Sequence, residues 1–156
     1  MARASYLLSN AIRKAALNLQ NNKPYEWGHM GSCNCGHLAQ TLLNINKADI
    51  HKYAMEKNGD WNEQLNDYCS TSGLLMDKLI WGLLQTGLEL EDIMDLEYLK
   101  NPIIVEKIDS KFKPLVNNNR EHVIAYLNTW AEMMEEELIN TIDLNFNSKK
   151  LISFHS

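Results

Sequence analysis

Val123, Leu127, Trp130, Ala131, Met134 and Leu138 recur at steps of 4, 3, 1, 3 and 4, while Glu121, Asn128, Glu132 and Glu135 fall on the other side. That is the period of an amphipathic helix, and it is the strongest constraint in the chain. So long an apolar stripe needs an apolar partner, and the rest of the chain offers helical ones. Residues 3–20 set Leu8, Ile12, Ala15, Ala16 and Leu19 at the same spacing. Asn21-Asn22-Lys23-Pro24 ends that segment, because proline cannot continue a helix. A second helix is expected to begin near Ser32–Cys35 and to run to about Ile45. Asn46 suits the N-cap of a third, over residues 47–57, since its side chain can accept an orphan backbone N–H. Asp60-Trp61-Asn62-Glu63 reads as a capping box opening a short helix to about Tyr68.

Leu74–Leu84 is apolar on nearly every side, which predicts a central helix. Gly82 in its middle suggests the close approach of a neighbour, and Gly87 suggests its end. Residues 89–99 carry another helical pattern, and Asn101-Pro102 opens a short one over 102–108 as N-cap and first helical residue. There is no hairpin signal and no repeat of fixed period. The expectation is an all-α fold: one domain over residues 1–156, a bundle of six to eight helices, several short, with a long C-terminal amphipathic helix. Residues 140–156 are weakly patterned, and either dock through Leu144, Phe146 and Ile152 or fray. Trp61, Trp81 and Trp130 each lie within an apolar pattern and are expected as core anchors.

Composition narrows the function classes. The formal net charge is −5, and residues 79–156 hold 13 acidic against 7 basic residues. Nucleic-acid affinity comes from neutralising phosphates with a basic patch, and none is present, so no nucleic-acid partner is expected. No run of 18 apolar residues exists, so no membrane span is expected. The N-terminal stretch lacks a secretory apolar region, and three cysteines without one fit a reducing cytoplasm. A homodimer is expected if helix 74–88 or the Trp130 stripe is only partly covered by its own chain.

Chemistry concentrates in residues 25–37, which hold Tyr25, Glu26, Trp27, His29, Met30, Cys33, Cys35 and His37. Three readings compete. In the first, His29, Cys33, Cys35 and His37 bind a transition metal such as zinc, because thiolate and imidazole suit such ions. This needs the helix to start after Cys35, since helical residues two apart diverge by about 200°. Cys69, His51 or Glu63 would complete the shell more easily than four ligands crowded into nine residues. In the second, a thiol at the helix start is activated by the positive dipole end, with Cys33 or Cys35 as nucleophile and His37 as base. In the third, both cysteines pack as small apolar residues, and Tyr25, Trp27 and Met30 anchor the loop. Tyr25 and Trp27 are also the candidate contacts for a small ligand or cofactor of unknown identity. His51 is expected as a partly exposed surface residue, and His122 as a packing or capping one. Taken together, the sequence suggests a Cys/His loop that binds a metal or small ligand. The alternatives are a cysteine-nucleophile hydrolase or transferase and a non-catalytic interaction module.

Overall fold

The computed structural model describes the backbone of residues 1–154 and the side chains of residues 1–150. Among these residues the chain is all-helical: α1 Tyr6–Gln20, α2 Asn34–Leu43, α3 Lys47–Ala54, α4 Trp61–Asn66, α5 Leu75–Gln85, α6 Leu90–Tyr98, α7 Pro102–Lys107 and α8 Arg120–Phe154, with a 3-10 turn at Ser110–Phe112. The frame is α1 laid along α8. Leu8, Ile12, Ala15, Ala16 and Leu19 of α1 are buried, as are Val123, Leu127, Trp130, Ala131 and Met134 of α8. Arg13 fastens the pair from outside, its Nε and Nη2 donating to Glu135 at 2.8 and 2.9 Å and its Nη1 to Asn128 at 3.1 Å. A guanidinium against a carboxylate in this paired geometry fixes orientation as well as adding attraction.

The remaining helices are short, and local caps set their ends. Asn46 accepts from Asp49 N–H at the start of α3, and Asn101 accepts from Ile103 and Ile104 N–H with Pro102 as the first residue of α7. The Asp60–Glu63 capping box opens α4. A second box, Glu89 with Asp92, opens α6, and the chain start is pinned on it: the terminal amine sits 3.0 Å from Glu89, and Ala2 N–H donates to Asp92. The boundaries are tighter than the periodicity implied. Ser5 caps α1, so the helix starts at Tyr6 rather than residue 3. Asn44 turns left-handed at φ 53°, which ends α2 before Ile45.

Two expectations are corrected. Trp81 is not a core anchor: it stands 52% exposed on α5, whereas Trp61 and Trp130 are buried at 0% and 2%. The opposite side of α5 carries Met76, Leu79, Ile80 and Leu83 into the core, so the helix is amphipathic rather than central. Gly82 does meet a neighbour, since a Cβ there would lie 3.4 Å from both Cδ atoms of Leu43. Residues 140–150 neither dock nor fray: α8 runs on as helix, leaving Ile142, Leu144 and Phe146 more than half exposed. The side chain of Ile152 lies outside the described residues.

Burial along α8 therefore divides in two, and stability should follow. Leu127→Ala should cost about 2–5 kcal/mol, as for an enclosed leucine, whereas Phe146→Ala should stay within about 0.5 kcal/mol, as for a surface change. Urea unfolding of both variants checks this. A large loss from Phe146→Ala would mean that the α8 extension is covered in solution.

Candidate functional site

Residues 24–33 form a tight loop closed by backbone bonds: Glu26 N–H donates to Ser32 O, and Ser32 and Cys33 N–H both donate to His29 O. Two glycines allow it to pack. A Cβ on Gly31 would overlap the Lys47 backbone, and one on Gly36 would overlap the backbone of Gly31 and Met30. The loop, the start of α2 and the start of α3 therefore meet main chain against main chain. Imidazoles hold the loop's exit. His51 Nδ1 accepts from Met30 N–H and His29 Nδ1 from Gly31 N–H, each at 3.1 Å, and the two rings stack with centroids 4.1 Å apart. Burial and the neighbouring His51 lower the His29 pKa. The Met30 carbonyl accepts from Trp61 Nε1 at 2.9 Å, which ties the loop to α4.

The start of α2 meets the end of α6 through a reciprocal cap. A helix leaves N–H groups unpaired at its start and C=O groups at its end. Cys33 occupies the α2 N-cap position and provides no side-chain cap. Glu97 does so from another helix, its Oε2 accepting from Cys35 N–H at 3.0 Å. In return Asn34 Nδ2 donates to the carbonyls of Leu96 (3.1 Å) and Glu97 (3.0 Å) at the end of α6, and to Asn117 O. Tyr25 O–H donates to Asn34 Oδ1 at 2.6 Å and holds the amide in this orientation. Asn34 is wholly buried and Glu97 is 5% exposed. Burial is the main influence on Glu97 and raises its pKa, partly opposed by bonds from Cys35 and Cys33.

The candidates from the sequence separate in space. Cys33 and Cys35 are each 1% exposed and point into this joint. The Cys35 thiol lies 3.1 Å from Ile93 O and the Cys33 thiol 3.7 Å from Met30 O, both as donors. Burial first, and the charge of Glu97 second, push both thiols well above their ordinary pKa. The dipole argument for an activated thiol is outweighed here, because desolvation and a like charge both favour the neutral form. His37 does not face a thiol: its Nε2 lies 2.8 Å from Pro24 O, and its ring stacks on Tyr25 with centroids 6.2 Å apart. The expected pairing of Cys33 or Cys35 with His37 is therefore not formed. Among the described residues no group of three or more His, Cys, Asp or Glu side chains is arranged to hold a metal ion. Cys33 and Cys35 thus turn together toward Glu97, whereas His29 and His37 turn to Gly31 N–H and Pro24 O. Tyr25 serves the Asn34 amide, and His122 Nδ1 accepts from Val116 N–H as a loop cap.

Trp27 stands elsewhere, on the wall of a cleft of about 220 Å³ between the loop, α4 and α6. Its ring meets that of Tyr98 edge-on, with centroids 6.1 Å apart and planes at 75°. Trp61 and Met30 also line the cleft, with Glu97 among them and Asp60 beside it. Tyr98 O–H donates to Asp60 Oδ2 at 3.2 Å, linking one wall to the cap of α4. Glu97 and Tyr98 escaped the sequence reading because an acidic residue near a helix end looks like solvated surface. Comparison with protein-family models, curated proteins and solved structures found no match.

A raised acid pKa fixes the sign of a pH effect. The folded state holds the Glu97 proton more tightly than the unfolded chain, so this stabilisation is complete below about pH 4.5 and is lost as pH rises through the folded value. Glu97→Gln keeps an acceptor for Cys35 N–H without the charge. The variant should therefore gain stability relative to the native chain as pH rises from 4.5 toward 8. His29 and His37, whose lowered pKa values act in the opposite sense, are common to both proteins and cancel. Urea midpoints across this range check it, and a difference that does not vary with pH would contradict it.

Proposed function

We propose that this protein binds a small molecule in the cleft between residues 27–30, α4 and α6. The observation that carries the reading is a nearly buried carboxylate, Glu97, lining a cleft whose other walls are Trp27, Trp61, Met30 and Tyr98. Concave, aromatic-lined sites with a few placed polar groups are the usual form of a ligand pocket. A carboxyl with a pKa shifted by desolvation within a cleft marks such a site more often than a featureless surface does. The reading also uses the loop that stood out in the sequence, although through Trp27 and Met30 rather than through its cysteines. It is preferred over metal binding, because His29 and His37 turn away from the two thiols, which gather on Glu97 instead. It is preferred over cysteine nucleophilicity, because both thiols are buried and held protonated. Three unpaired cysteines support placing the protein in a reducing compartment, the cytoplasm.

The four tryptophans give a direct test, since Trp27 and Trp61 line the cleft while Trp81 and Trp130 lie away from it. In a fragment screen read by NMR, bound fragments should shift the indole N–H signals of Trp27 and Trp61 and leave the other two in place. Trp27→Ala should weaken the same fragments at least tenfold with little change in unfolding midpoint. A screen that never moves the Trp27 and Trp61 signals, or moves all four alike, would overturn the reading.

A further inference from the structure

We infer that the ligand of this cleft is a small organic ammonium ion, an inference that rests on the cleft being a binding site. Charge is the first reason. The side chains lining the cleft include two carboxylates, Glu97 and Asp60, and no lysine, arginine or histidine. An anion would meet two carboxylates there. A neutral apolar molecule would fill the space but would bring no opposite charge to Glu97, which is 5% exposed and whose partners are Cys35 N–H and the two thiols. A cation answers both.

The walls give the second reason. Trp27 and Tyr98 are set edge-on to one another, and both line the cleft. Aromatic faces attract cations through their quadrupole, and tryptophan does so best. The Tyr98 ring already takes part in such a contact, with Lys100 Nζ 5.9 Å from its centroid. The thioethers of Met30 and Met55 line the same cleft, and their polarizable sulfurs suit the methyl or methylene groups that surround an alkylammonium nitrogen.

Size is the third. The volume of the cleft is about 220 Å³. It lies below the range of about 300–1,000 Å³ typical of drug-sized ligands. That space fits an ammonium ion with a short alkyl arm.

The test is a pair of probes of equal shape: choline, and 3,3-dimethylbutan-1-ol, which has carbon in place of the charged nitrogen. Both are titrated into the full chain while the Trp27 and Trp61 indole signals are followed. Choline should bind at least tenfold more tightly than its neutral isostere. Glu97→Gln should remove most of that preference while leaving the isostere's affinity unchanged, a readout that simple unfolding would not give. Equal binding of the two probes would overturn the ammonium inference and leave the cleft standing as a site. Failure of choline while neutral fragments still shift Trp27 would do the same. Failure of choline together with every other fragment would overturn the inference and the reading beneath it.

Discussion

The joint between α2 and α6 is held by an exchange of caps between two helices that lie some sixty residues apart in the chain. Glu97 supplies the start of α2 with the acceptor that Cys33 lacks. Asn34, the first residue of α2, supplies donors to the carbonyls at the end of α6. Each helix end would otherwise bury unpaired polar groups, at about 1–3 kcal/mol for each. The carboxylate also faces the positive end of the α2 dipole, which favours it electrostatically. Against these gains stands the desolvation of Glu97, which shows in its raised pKa. The arrangement places a destabilised acid where it both secures two helices and borders a cleft.

Much of the surrounding structure depends on that joint. With Asn34 as the first residue of α2, Cys33 and Cys35 lie inward, their thiols against Met30 O and Ile93 O. Because the loop before it folds onto His51 and Trp61, Met30 is fixed as part of the cleft wall. Gly31 and Gly36 admit this packing, since any side chain at either would strike backbone. The imidazoles of the loop therefore act as acceptors and stacking partners that shape the cleft, and the thiols fill the space behind it.

The helical class and most helix starts were legible because they rest on local chemistry. Asn46, the Asp60–Glu63 box and Asn101-Pro102 each act within four residues of themselves. The α8 stripe through Trp130 was legible for the same reason. What the sequence could not give was pairing across long separations. Asn34 bonds residues 62, 63 and 83 positions away, and nothing in its neighbourhood distinguishes it from the chain's many other asparagines. Glu97 lies on a helix rich in acids, so period alone assigns it to solvent. Trp81 was misplaced because an almost unbroken apolar run hides which side faces out. The Cys/His loop stood out by its residue types, but rare residue types do not say which side chains converge.

The most direct measurement is a double-mutant cycle on the joint, using Asn34→Ala, Glu97→Ala and the pair together, with unfolding free energies from urea at neutral pH. If the two residues form one reciprocal cap, loss of either loosens the contact the other depends on. The cycle should then return a coupling of roughly 0.5–3 kcal/mol, as for neighbours in a shared network. Additivity within about 0.3 kcal/mol would show two independent contacts and would contradict the account of a single joint that positions the cleft.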